Sequence, residues 1–335
     1  MTPIAEFEGV DRTRFEAEIA PRNEPAVMRG LVREWPAVRA AVAAPWGIAD
    51  YLRAMDSGAR VAVARMAPSA RGRVFYNPGF DGFNYTRDDS TVSAVLESLA
   101  RYARLSNPGY VAVQSALVSE CLPPFAAENP NPLLDEAVAP RIWMGNRVTT
   151  AAHFDESSNV ACVAAGRRRF TLFPTEAIAD LYIGPIGYAP TGTPISLVDF
   201  DRPDERRFPR FRRALEVARS ADLAPGDAIY IPPLWWHHVR SLEDCNVLVN
   251  YWWKDRSAPG ATDSALNALV LAILDLGSLP AAQRRAWAAI FEHYVFGADE
   301  ATVSHIPAAK RGVLGEVTPE FARQVREFLI SRLRG

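Results

Sequence analysis

Five histidines occur in the 335 residues, and two short segments place three of them next to groups that could share a metal ion. His153 and Asp155 stand two apart in Ala152-His153-Phe154-Asp155-Glu156. In an extended segment residues i and i+2 project to the same side, so both side chains can reach one ion. His237 and His238 follow much later, in Pro232-Pro233-Leu234-Trp235-Trp236-His237-His238, directly after a predicted strand. Being adjacent in an extended segment they point opposite ways, so only one of the two can join the same centre. Two imidazoles and one carboxylate on one face of an ion leave its opposite face open. That is the arrangement of non-haem Fe(II) sites, which must admit a cosubstrate and oxygen. An isolated His-X-Asp is usually a turn or surface feature, and a His-His pair beside tryptophans is usually a packed loop. Their joint occurrence near strand edges, separated by a β-rich stretch, favours the metal.

The flanking residues narrow the reading. Asn146-Arg147-Val148-Thr149-Thr150-Ala151-Ala152 leads into His153, and Asn159 follows Asp155. Ala165-Gly166-Arg167-Arg168-Arg169-Phe170-Thr171-Leu172-Phe173-Pro174 comes next, then Gly226-Asp227-Ala228-Ile229-Tyr230-Ile231-Pro232 before the histidine pair, and Val249-Asn250-Tyr251-Trp252 after it. With the opening Glu24-Pro25-Ala26-Val27-Met28-Arg29-Gly30, this ordered set resembles the JmjC-type, cupin-like Fe(II)- and 2-oxoglutarate-dependent dioxygenases. These include the asparaginyl hydroxylase that inhibits hypoxia-inducible factor, and bacterial relatives. The resemblance extends from about residue 10 to 254 and leaves the C-terminal helices uncovered.

The resemblance implies that His153, Asp155 and the first histidine of the pair, His237, are the iron ligands, with His238 a structural neighbour. It implies that Thr150 and Asn159 hydrogen-bond 2-oxoglutarate, that Asn250 is a polar strand residue beside this cosubstrate, and that Trp252 is a pocket wall. Tyr110 and Gln114, on an upstream strand, are candidates for pocket lining. One departure stands out: the position of Arg168 is a lysine in the asparaginyl hydroxylase, where it pairs with the distal carboxylate of 2-oxoglutarate. Arginine can replace it with a planar, bidentate fork. Arg167 and Arg169 alternate to the opposite face. The implied reaction couples conversion of 2-oxoglutarate to succinate and CO2 with hydroxylation of an unidentified peptide, protein or small molecule. From the residues alone two other functions stay open: a metal-binding cupin with a 2-oxoglutarate-independent reaction, and a non-catalytic binding barrel.

These side chains need a rigid frame. Between Gly109 and Trp253 short runs rich in β-branched and aromatic residues, such as Asn159 to Val163, Ala228 to Ile231 and Val247 to Trp253, are punctuated by Gly145-Asn146, Pro225-Gly226-Asp227 and Pro232-Pro233. This pattern predicts an all-β sandwich or barrel. With the resemblance it gives a mainly β class: a double-stranded β-helix (jelly-roll) core with flanking helices. A helix is predicted over about Thr91 to Leu105, and three more after residue 254, the last opening at Thr318 with Pro319 at its first position. The expected division is a catalytic domain over 1–254 with an N-terminal α/β elaboration, and a helical segment over 255–335 that could pair two chains as a homodimer.

Composition excludes some partners. With 37 Lys and Arg against 39 Asp and Glu, the net charge of −2 provides no global field for nucleic acid or an anionic membrane. Three scattered cysteines without metal spacing suit reduced thiols rather than a disulfide framework, and no signal-like or spanning segment is seen at either end. A cytoplasmic protein is expected.

Overall fold

A computed structural model describes residues 1–254 and 264–334, and the chain divides into two compact units, Met1–Lys254 and Asp255–Gly335. The first unit holds the β-structure. Its nine-stranded sheet runs in the order Ala5–Glu8, Ala26–Arg29, Ala228–Ile231, Ser158–Ala165, Asn246–Trp253, Pro140–Gly145, Tyr110–Leu117, Val61–Met66 and Thr86–Ser90. A six-stranded sheet runs Thr2–Pro3, Arg219–Leu223, Arg168–Phe173, Trp236–Ser241, Thr149–His153 and Arg73–Val74. Two facing, mostly antiparallel sheets with helices outside give the jelly-roll, cupin-like class.

Period-two alternation explains where each sheet looks. In Ser158–Ala165, where every residue is buried, Val160, Cys162 and Ala164 face the helices while Ala161 and Val163 face the barrel interior. Only a strand covered on both sides reads as such a continuous small-apolar run. The same alternation sends Val247, Val249 and Tyr251 outward to the helices and Leu248 inward. Inside the barrel, Phe170, Leu172, Leu223, Ile229 and Ile231 from the two sheets interdigitate.

The helices Pro36–Ala43, Gly47–Met55 and Val92–Tyr102 cover the outer face of the large sheet with Val38, Leu52, Val95, Leu96 and Leu99. Thr91 caps the last of these, its hydroxyl accepting from the Ala94 N–H at 3.3 Å. That helix ends at Tyr102, short of the expected Leu105, because the chain must turn through Asn107-Pro108 to enter the strand at Tyr110. The turn Pro225-Gly226-Asp227 needs Gly226 at φ +98°. Asp227 there accepts from the Gly30 N–H at 2.9 Å and from Arg29 at 2.6 Å, tying the N-terminal strands to the barrel.

The second unit contains the helices Leu266–Leu276, Ala281–Phe291 and Pro319–Leu333; Thr318 caps the last through the Phe321 N–H, with Pro319 in its first turn. Among the described residues no helix is long and apolar enough to cross a membrane.

Ile229 is fully buried at the centre of the barrel interior. Ile229→Ala removes methylene groups that the rigid sheets cannot collapse to replace, so denaturant unfolding of the first unit is expected to show a loss of about 2–5 kcal/mol. A change under half a kilocalorie would mean that the interior is loosely packed there.

Candidate metal centre and its pocket

The two histidines meet because their strands pair: in the register of Thr149–His153 against Trp236–Ser241, His237 lies directly opposite His153. The ladder then slips, so that Val239 opposes Thr150, a bulge of the kind that re-aims side chains beside sites. One detail differs from the sequence expectation. The strand ends at His153, so Asp155 reaches the centre from the first residues of the following loop. His237 lies, as expected, in an extended segment after the strand Ala228–Ile231; it is the second residue of the next strand, which begins at Trp236 after the Pro232-Pro233 turn. That loop is pinned: Leu234, at φ +66°, donates its N–H to the Asp155 carbonyl at 2.8 Å.

His153, Asp155 and His237 place one ligand atom each within 4.8 Å of one another. The imidazole centroids are 4.2 Å apart. Each ring is oriented by its own backbone: His153 Nδ1 lies 2.9 Å from the Ala151 carbonyl and His237 Nδ1 lies 3.0 Å from that of Trp235. A carbonyl can only accept, so both rings carry their proton on Nδ1, which leaves the Nε2 lone pairs free for a metal. Burial, with some help from neighbouring His237 and against the pull of Asp155, lowers the His153 pKa to about 4 and keeps the ring in the neutral form a metal requires. Asp155 Oδ2 accepts from Trp252 Nε1 at 3.0 Å and sits 3.6 Å from His237 Nε2.

A cavity of about 320 Å³ opens in front of these three residues, and Thr150, Asn159, Arg168, Asn250, Gln114 and Trp252 all line it. Trp143 Nε1 donates to Asn250 Oδ1 at 2.8 Å, and Asn250 Nδ2 donates to Asn159 Oδ1 at 3.2 Å, so the two amides are held as a pair. Arg168 is 8% exposed, and among the described residues it forms no ion pair. Its Nε has no hydrogen-bond partner, and burial alone pushes its pKa down to about 10. Its neighbours behave otherwise: Arg167 pairs with Glu243 and Arg169 with Asp222 on the outside.

Tyr110 is a correction. It packs with Met66, Val74 and Ala112, away from the metal pocket, whereas Gln114 lines that pocket. The two share a face by parity, but four residues of strand separate them by about 13 Å. The strand also bends at a bulge between Val113 and Ala116, where Ser115 has φ +54°. Of Trp235, Trp236, Trp252 and Trp253, Trp252 faces the pocket; Trp236 is buried edge-on against Phe154, Trp235 donates to the Asn23 carbonyl, and Trp253 packs with Tyr230. His238 points away, stacked on Phe200 at 4.4 Å and 13°. Sequence reasoning missed Trp143, Ser115, Arg87 and the Pro190-Thr191-Gly192 rim. Strand alternation between Ile142 and Met144 would have placed Trp143 inward once the register was known; no sequence signal marks the others.

A jelly-roll whose interior ends in a two-histidine, one-carboxylate cluster defines a cupin with a candidate metal centre. The chain belongs to the Cupin-like domain family, which matches residues 12–258, and the fold and triad are of the JmjC type. It is similar to the human bifunctional peptidase and (3S)-lysyl hydroxylase JMJD7, at 29% identity over 69% of this chain and 77% of that protein. It is similar to lysine-specific demethylase JMJ31 of Arabidopsis thaliana, at 33% identity over 33% of this chain and 20% of that protein. Lysine-specific demethylase 8 of Xenopus tropicalis aligns at 24% identity over 69% of this chain and 48% of that protein. The chain spans less than half the length of most of the curated relatives it matches.

Removing a ligand side chain should remove metal without removing the fold. In His153→Ala, Asp155→Ala and His237→Ala the Fe(II) or Mn(II) content after loading is expected to drop to background, with the far-ultraviolet circular dichroism spectrum retained. His238→Ala should load metal like the parent. Metal loss in His238→Ala with retention in His237→Ala would reverse the assignment of the third ligand.

Proposed function

We propose that the protein is an Fe(II)- and 2-oxoglutarate-dependent oxygenase that hydroxylates a peptide, protein or small molecule. The observation that carries this reading is Arg168, a buried guanidinium in the metal pocket with no counter-charge among the described residues. A charge in such surroundings is costly unless an anion joins it. A pocket with a metal centre at one place and an unpaired cation at another fits an elongated dianion with one carboxylate for each, which describes 2-oxoglutarate. A metal cupin with a 2-oxoglutarate-independent reaction, or a barrel used only for binding, does not by itself require a cation at this place in the pocket.

Bound iron would activate O2 with 2-oxoglutarate as the electron-donating cosubstrate, one oxygen atom passing to a substrate C–H bond and the other to succinate as CO2 is released. The chain's own residues hold and orient. His153, Asp155 and His237 would carry the ion, and Trp252 fixes the Asp155 carboxylate by its indole N–H. Arg168 would take the distal carboxylate, with Thr150, Asn159 and Asn250 as further hydrogen-bonding groups, the last two already oriented by Trp143. Phe170, Ile231, Val239 and Leu248 line the same cavity and keep its wall dry, which strengthens each charge interaction inside it. Gln114 and the pocket-facing side of Trp252 would meet the substrate. The named activities of the relatives, lysyl hydroxylation and lysine demethylation, support an oxygenase of this kind. The free thiols of Cys121, Cys162 and Cys245 accord with a reducing cytoplasm.

The decisive experiment follows succinate formation with 2-oxoglutarate and Fe(II) titrated independently, alongside 2-oxoglutarate binding. Arg168→Ala should keep its metal but lose about 2–5 kcal/mol of 2-oxoglutarate affinity. Arg168→Lys should lose less, since a point charge survives without the fork. Arg167→Ala and Arg169→Ala should bind like the parent. Iron-loaded protein that neither binds nor consumes 2-oxoglutarate would sink the reading.

The second unit supports a further proposal, a homodimer formed through its helices. Leu269, Val270, Ile273 and Leu274 on one helix are 45–72% exposed, and Trp287, Ile290 and Tyr294 are exposed as well. Contiguous apolar surface of this sort marks an association site. Light scattering of the full chain is expected to give a dimer mass, and the double variant Leu269→Glu, Ile273→Glu is expected to run as a monomer. A parent chain that is monomeric at high micromolar concentration counts against the dimer.

A further inference from the structure

Behind the metal pocket lies a second cavity, larger at about 720 Å³. The same two strands line both cavities with alternate residues. Thr150, His237 and Val239 face the metal pocket, while Thr149, His238 and Arg240 face the second one.

Five arginines line this second cavity: Arg71, Arg73, Arg147, Arg202 and Arg240. Three have carboxylate partners, Arg71 with Asp199 at 3.2 Å, Arg147 with Asp244 at 2.8 Å and Arg240 with Asp201 at 2.6 Å. Arg73 and Arg202 form no ion pair among the described residues, so five guanidiniums less three carboxylates leaves two positive charges. Arg73 is partly buried and fixed in place. It donates to the Leu197 and Val198 carbonyls at 3.2 and 2.8 Å, and its guanidinium lies 3.5 Å from the centroid of the Phe75 ring. Burial lowers its pKa to about 10 against the opposing pull of Asp199, so it stays charged at neutral pH. Neutral carbonyls and an aromatic face orient a guanidinium without cancelling its charge. Phe200, stacked on His238, and Phe75 give the cavity flat apolar walls.

We propose that this cavity is a second ligand site, separate from the metal pocket, that binds a small dianion such as a phosphate ester or a dicarboxylate. Arg73 and Arg202 are the two cations that meet it, and their forks match the paired oxygens of either group. The proposal does not depend on the reading of the metal pocket, since no residue that carries it lines that pocket.

The test is calorimetric titration of the full-length, metal-free protein with inorganic phosphate and, separately, with succinate. Arg168→Ala combined with Arg87→Gln serves as the background, so that a dicarboxylate finds no arginine in the metal pocket. One saturable event is expected. Phosphate alone would identify a phosphoryl ligand, and both probes a general dianion site; succinate alone would identify a dicarboxylate site. Each of Arg73→Gln and Arg202→Gln should raise Kd about tenfold or more. Arg202 is exposed, so its loss leaves the fold intact even if Arg73→Gln is destabilised. Absence of saturable heat with both probes, or binding unchanged in Arg202→Gln, overturns the proposal.

Discussion

The site rests on one cross-strand pair. His153 and His237 face each other across an antiparallel ladder, and backbone carbonyls two residues earlier on each chain segment hold their Nδ1 protons. Direct cross-strand partners are the closest side chains a sheet offers, about 4.5–5.5 Å between β-carbons. That spacing is what lets two imidazoles converge without help from a flexible loop. The third group, Asp155, needs a loop because the strand has already ended, and the loop is held at both levels: its carbonyl by Leu234 and its carboxylate by Trp252. The precision of the triad is therefore inherited from the sheet register, with two hydrogen bonds extending it one step beyond the sheet.

Inward-facing polar and apolar residues share the same strands of the barrel. Asn159 shares the inward face with Ala161 and Val163, Asn250 with Leu248, and Arg168 with Phe170 and Leu172. The apolar members stabilise the sandwich; Arg168 lies opposite Ser241 while Leu172 lies opposite His237, so the cation and the metal centre are at different ends of the same strand pair. Arg168 is the extreme case, a permanent cation enclosed with no counter-ion among the described residues. Such a group weakens the empty fold and favours any state in which an anion enters.

Alternation also makes the strands Thr149–His153 and Trp236–Ser241 two-sided. Neighbouring residues on the same backbone look into two different cavities, one with the triad and one ringed by arginines. Packed strands transmit displacement because interiors have little free volume. A ligand on one side of this wall is therefore one peptide unit from the other side.

Much of this was legible in the chain itself. His-X-Asp spacing, the adjacent histidines, the turn residues around Gly226 and the Thr318-Pro319 helix start depend on local rules: side-chain direction, positive φ, missing N–H groups. Local rules also sent Arg167 and Arg169 outward and left Arg168 inside. What local rules do not contain is distance along a strand and pairing between remote ones. Tyr110 has the right parity for the pocket yet lies about 13 Å too far along a strand that bends at Ser115. The hydrogen bonds from Trp143 to Asn250 and from Trp252 to Asp155, the start of a strand at Trp236, and the gathering of five arginines behind the metal site all join segments far apart in sequence. Residue types and their faces were determined by the sequence; which of them meet was decided by sheet register, a property of the whole barrel and of no segment alone.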